Sequence, residues 1–95
     1  VAAARQQIGA SVRLADKLLT VEPGNTEWAD RATATHLVAA DTALASGNID
    51  EAAAATRKGC DIAARLAARD PSVVDWSGRL RRSCLLSEAR LALTR

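Results

Sequence analysis

Few side chains in this chain of 95 residues have the chemistry to act. They are one histidine, His36, two cysteines, Cys60 and Cys84, and a run of arginines, Arg79-x-Arg81-Arg82, with Arg90 and Arg95 one or more turns further on. The two cysteines stand 24 residues apart, with no Cys-x-x-Cys and no His-x-x-x-His pair, so the local spacing of a zinc site is missing. There is no glycine-rich phosphate loop and no nucleophile turn. The inventory is therefore not that of an enzyme, and no catalytic residue, cofactor or metal is expected. The arginine run admits two readings: a solvated helix face, or a docking patch for an acidic segment of a partner. Nucleic acid fits less well, because the aromatic platforms that bind single strands are missing. His36 reads as a partly buried side chain at a helix contact, or else as a partner contact.

Only helices can position these residues. Alanine is the commonest residue, Phe, Tyr and Met are absent, and strand-forming aromatics are scarce. The expected fold is all-α, one domain over residues 1–95. A chain this short buries roughly 60–65% of its unfolded surface, enough for a shallow core. Net charge is +2, with both signs interspersed. No apolar run approaches the roughly 20 residues of a membrane span, and no signal peptide is visible, so a cytoplasmic location is expected. The lack of an initiating Met marks the chain as an expected fragment of a larger protein.

Four helices are predicted, at about residues 2–21, 26–46, 49–69 and from 73 to the end. In the first, Ile8, Val12, Ala15, Leu18 and Leu19 recur at spacings of three and four. It stops at Pro23, since proline cannot continue a helix and disfavours helical backbone in the residue before it. Asn25 caps the second helix, which ends at Gly47. Asn48 caps the third, with Glu51 three residues on in the manner of a capping box. Gly59 in mid-helix costs about 1 kcal/mol relative to Ala, and close approach of a neighbouring helix is the expected compensation. Asp70-Pro71-Ser72 makes the last turn, with Ser72 as a cap. Connections this short make sequential helices antiparallel neighbours.

The chain also matches itself. A shift of 48 residues superposes Pro23 on Pro71, Trp28 on Trp76, Arg31 on Arg79 and Leu18 on Leu66, and 7 of 47 positions are identical. The matches gather on the rarest residue types, as in a stacked-repeat protein. The two tryptophans are expected as structural anchors in equivalent surroundings, packed near Leu18 and Leu66.

Gly47-Asn48-Ile49-Asp50-Glu51-Ala52 resembles the turn between the helices of a tetratricopeptide repeat. Asp70-Pro71 resembles that family's closing Asp-Pro, and Trp28, Ala32 and Gly59 fall on its aromatic and small positions. The family's period is about 34 residues. The longer period here is similar to long-helix bacterial variants, with helices of about 30 Å. The resemblance implies an α-solenoid fragment of antiparallel hairpins: a protein-interaction or scaffold module binding a protein or peptide. Such modules belong to larger signalling or regulatory proteins. A structural or oligomerisation segment, pairing through exposed helix ends, and an accessory part of an enzyme or sensor are the alternatives.

One expectation concerns the thiols. Cys60 and Cys84 lie at similar heights on either side of the Pro71 turn, so their Cα atoms should come within roughly 10 Å, the spacing of packed helices. The same logic pairs Val12 with His36. With no secretion signal, the reduced state of the two cysteines is favoured.

Overall fold

The structure, a computed structural model, describes residues 2–70, 72–73 and 75–94, and the side chains of these except 2–5, 75 and 77. Helices account for nearly all of it, and the described residues include no strand. The α-helices are α1 (Ala2–Val21), α2 (Thr26–Ala45), α3 (Ile49–Arg69) and α4 (Arg81–Thr94). A π-helical turn, Asp75–Leu80, leads into α4. Among the described residues no helix is long and apolar enough to cross a membrane.

The breaks follow local chemistry. Pro23 lies in the turn after α1, and the Asn25 side chain caps α2 by accepting from the Trp28 N–H at 3.1 Å. Gly47 has φ 79°, which only glycine adopts without strain. Its N–H donates to the Leu44 carbonyl and the Asn48 N–H to the Ala43 carbonyl, closing α2 with a Schellman motif. Asn48 then caps α3, accepting weakly from the Glu51 N–H at 3.4 Å. Because the Asn48 N–H is already committed to α2, Glu51 cannot complete an ordinary capping box. Its carboxylate instead accepts from the Asn48 side-chain amide at 2.7 Å. One motif thus ends a helix and starts the next.

Two expectations about the last turn change. Ser72 does not cap a helix; its N–H and hydroxyl both donate to the Asp70 carboxylate, at 3.1 and 2.6 Å. The fourth helix does not begin at residue 73 but opens with the wider π turn. Pro71 and Arg95 lie outside the described residues.

Packing registers show the arrangement. Ala43 clusters with Ala52, and Ala29 and Ala32 cluster with Ile62, Ala63 and Leu66, so α2 and α3 are antiparallel about Gly47. Leu91 joins Ala52, and Leu80 joins Leu66, so α4 runs back along α3. Two ion pairs link α2 to the π turn and α4: Arg79–Asp30 at 3.3 Å and Arg90–Asp41 at 3.2 Å. Both join residues 49 apart in sequence. A constant offset means that α2 and α4 run parallel in register, close to the 48-residue self-match. The result is helical-repeat-like, in a flat body with principal extents of 36 × 29 × 15 Å.

The core is built from small residues. Ala32, Ala40, Ala43, Ala52 and Ala63 are buried, with Leu37, Ile62, Leu66, Leu80 and Leu91 as the larger members. Alanine on facing helices allows close approach, and at Gly59 that approach is tight. A Cβ built there would lie 3.0 Å from Leu37 Cδ2, 3.2 Å from Leu37 Cγ and 3.3 Å from His36 Cβ. The close approach expected at Gly59 is present.

The tryptophans are not equivalent. Trp76 sits in the π turn and packs against the cluster holding Leu66 and Leu80. Trp28 sits in the first turn of an α-helix and joins neither core cluster. Both are half-buried, so the penalty for deleting a fully buried tryptophan applies at neither position.

Cys60 and Cys84 form a disulfide, with Cα atoms 5.4 Å apart. Their proximity was expected; the bridge was not, because the reduced state was favoured from the sequence. The hairpin register of α3 and α4 puts both side chains on the shared contact, and that geometry is within reach of a bridge.

Two outcomes follow from this packing. Gly59→Ala gains about 1 kcal/mol of helix propensity but overpacks the α2–α3 contact, which typically costs 1–3 kcal/mol. The net expectation is a loss of about 1 kcal/mol in urea unfolding, with a larger loss for Gly59→Val; a stabilised Gly59→Ala protein would contradict the tight contact. Reducing the disulfide should lower stability by about 3 kcal/mol, from the entropy of a loop of this length, and thiol counting without reductant should detect no free cysteine.

Candidate partner-binding groove

The first helix stands apart. α1 packs on α2, but its backbone does not approach α3. Between α1 and α3, over α2, runs a groove of about 350 Å³. Its floor is Ala39, Thr42 and Ala43 of α2. Ile8 and Val12 form one wall, and Ala54 and Ala55 the other. Arg13, Lys58 and Glu51 supply charge along it. The sequence explains this shape: α3 presents consecutive alanines where a larger side chain would have filled the space, and the β-branched Ile8 and Val12 keep the α1 wall apolar.

One carboxylate spans the groove. Asp16 of α1 accepts from His36 Nε2 of α2 at 2.9 Å and from Lys58 Nζ of α3 at 2.9 Å. An ionised carboxylate only accepts, so the His36 proton involved sits on Nε2. Burial acts to raise the Asp16 carboxyl, but hydrogen bonds from Lys58 and His36, with the electrostatic pull of both, outweigh it. The carboxyl is held below its ordinary value of 3.8. Beyond the groove, past Asp16, Arg69 of α3 donates to the Gly24 carbonyl at 3.1 Å, tying α3 to the α1–α2 turn.

The candidate binding residues read from the sequence are distributed differently. His36 is buried, with 4% of its side chain exposed, and it faces Asp16 rather than solvent. It therefore does not lie on the outer surface, but it borders the groove with Val12 and Ala39 as well as bonding to Asp16. Its direct partner is Asp16, one turn beyond the expected Val12. Arg79 and Arg90 are held by Asp30 and Asp41. Arg81 and Arg82 stay exposed. The arginine run is therefore not one patch: part of it fastens α4 to α2. Asp16, Arg13 and Lys58 were not singled out in the sequence. A hairpin register centred two residues later would have found Asp16 opposite His36, whereas nothing in the spacing marks Lys58.

Comparison with known proteins finds no match among family models, curated proteins or solved structures.

Asp16 should behave as the clamp of this site. Asp16→Ala leaves the buried His36 nitrogen without its acceptor, a loss of about 1–3 kcal/mol at neutral pH. Because the folded-state carboxyl titrates below the unfolded one, its contribution is fully present above the ordinary value of 3.8 and disappears as pH falls through the depressed folded value. Acid unfolding followed by circular dichroism should therefore show a smaller drop in that window for Asp16→Asn than for the wild type. Equal costs for Asp16→Ala and for Asp41→Ala, an exposed control, would count against the clamp.

Proposed function

We propose that this chain is a helical-repeat interaction module that binds a protein or peptide segment in the groove between α1 and α3. The observation that carries this reading is the separation of α1 from α3 over a floor of small residues. A groove with apolar walls and charge along its length suits a side chain-bearing segment, with apolar contacts for affinity and charged groups for orientation. Repeat stacks present such concave surfaces to partners. The parallel register of α2 and α4, and the resemblance to tetratricopeptide repeats, support the same reading. The wider setting the resemblance implies is a larger bacterial signalling or regulatory protein, for which this chain would be a scaffold. No catalytic role is proposed.

An acidic partner segment would meet Arg13 in the groove and the exposed Arg81 and Arg82 beyond α3. Arg79 has a different role, since its ion pair with Asp30 belongs to the fold; an exposed pair of this kind contributes about 0.5 kcal/mol.

One observation favours a second reading, an oligomerisation segment. Leu85, Leu86 and Leu93 of α4 are 52%, 56% and 88% exposed. A second copy packing there would bury them.

The disulfide bears on location. A bridged pair fits an oxidising compartment, whereas in a reducing cytoplasm the same residues would be held as thiols. The bridge therefore favours an oxidising setting over the cytoplasm expected from the sequence.

Peptides selected from a random display library separate the two functional readings. If the groove binds, selected peptides should lose affinity on Ala55→Arg, which narrows the α3 wall without touching α4, and should be indifferent to Leu86→Glu/Leu93→Glu. Acidic peptides should also bind more weakly as salt rises, and Arg81→Gln/Arg82→Gln should slow their association. A concentration-dependent dimer in sedimentation, abolished by the double leucine variant, with no groove-dependent peptides, would replace the binding reading by the oligomer.

A further inference from the structure

On the other side of α3 from the groove, a cavity of about 420 Å³ opens between α3 and α4. Cys60, Cys84 and Glu88 border it, together with Trp76 and Arg81. The two sulfurs and a Glu88 carboxylate oxygen all lie within 4.8 Å of one another. Glu88 is one helical turn beyond Cys84, and its Oε1 is 3.4 Å from the Cys84 sulfur. We propose that, once the bridge is reduced, Cys60, Cys84 and Glu88 form a three-ligand site for a thiophilic divalent cation of the zinc type.

The chemistry of the donors selects this class of ion. Two thiolates and one carboxylate suit Zn2+, whose bonds are about 2.3 Å to sulfur and 2.0–2.2 Å to oxygen. Tetrahedral ligands at those lengths stand about 3.5–4 Å from one another. The three donor atoms are already gathered on that scale. Two sulfurs freed from their bond reach it by side-chain rotation, with the helices in place. The fourth position faces the cavity, where water or an outside ligand has room. Three protein ligands with one open position make an accessible site rather than a closed structural one.

Two thiolates and a carboxylate carry −3 and the cation +2; beside the same cavity Arg81 adds a positive charge and the exposed Asp61 a negative one, so the loaded site keeps a net charge of −1 at a solvent-facing rim.

The steps balance. An external dithiol reduces the bridge, breaking the S–S bond to leave two thiols while the reductant closes to its own disulfide. The cation then displaces one proton from each thiol to solvent and forms two metal–sulfur bonds and one metal–oxygen bond. Bridge and cation are mutually exclusive, so the redox state gates the site. Sequence spacing did not show it because the cysteines lie on different helices, 24 residues apart. The site is independent of the groove and does not rest on the proposed function.

Anaerobic titration of the reduced protein with Co2+ tests this. The expected result is one cobalt per chain, with a thiolate-to-cobalt charge-transfer band and tetrahedral visible bands, displaced by Zn2+. The bridged protein should show neither. Even an outer-shell change near a metal commonly costs 10–100-fold in affinity, so loss of a ligand in Glu88→Gln should weaken binding at least about tenfold. Glu88→Gln keeps both cysteines, so its fold can be verified in the bridged state before reduction. Circular dichroism of the reduced, metal-free protein shows whether α4 loosens; helicity restored by Co2+ would support the site equally. Absence of the band in the reduced wild type, an affinity unaffected by Glu88→Gln, or one cobalt shared by two chains would each overturn the proposal.

Discussion

The close approach of α2 and α3 is the constraint on which the rest of the molecule depends. Small residues line both helices along their contact, and at Gly59 the two backbones come near enough that a methyl group would press on Leu37 and His36. Tight contact excludes water over a long, shallow interface and so makes a core without large aromatics. It also places the outer helices. The backbone of α1 comes close to α2 but not to α3, which it meets through side chains, whereas α4 packs on both α2 and α3.

Because alanine interfaces are shallow, the outer helices are fastened by specific links as well as by burial. Asp16 ties α1 to both inner helices. Arg79 and Arg90 tie the last segment to α2 at a constant offset. The disulfide ties it to α3. Each exposed ion pair adds little on its own. Their shared contribution is to register: parallel helices with smooth surfaces could slide, and charges spaced at matching intervals select one alignment.

The same economy leaves spaces. Alanine on α3 opens one groove toward α1 and another toward α4. The first is apolar with charged edges and suits a polypeptide. The second holds the sulfurs, a carboxylate and an arginine. Thus the two faces of α3 differ in chemistry although both are made of small residues: one meets a helix that stands off, the other a helix held by a covalent bond.

Helix content, the turns at Pro23 and Gly47, the caps at Asn25 and Asn48 and the need for close contact at Gly59 were legible in the sequence. Each depends on residues a few positions apart, and local backbone chemistry acts at that range. The height match of Cys60 and Cys84 was legible too, since short turns and constant helical rise set it. Their bridge was not, because bonding depends on side-chain direction across two helices. Nor was the π turn at Asp75–Leu80: a wider turn there lets Trp76 and Leu80 both reach the core while Arg79 meets Asp30, a requirement set by partners far away in the chain. The inequality of Trp28 and Trp76 has a similar origin, since identical residues in a self-matching sequence meet different neighbours. Asp16, Lys58 and His36 converge only after three helices have packed. Sequence alone determined where helices start, stop and must lie close; tertiary structure decided which side chains meet, because that depends on how helix faces rotate and stagger against one another.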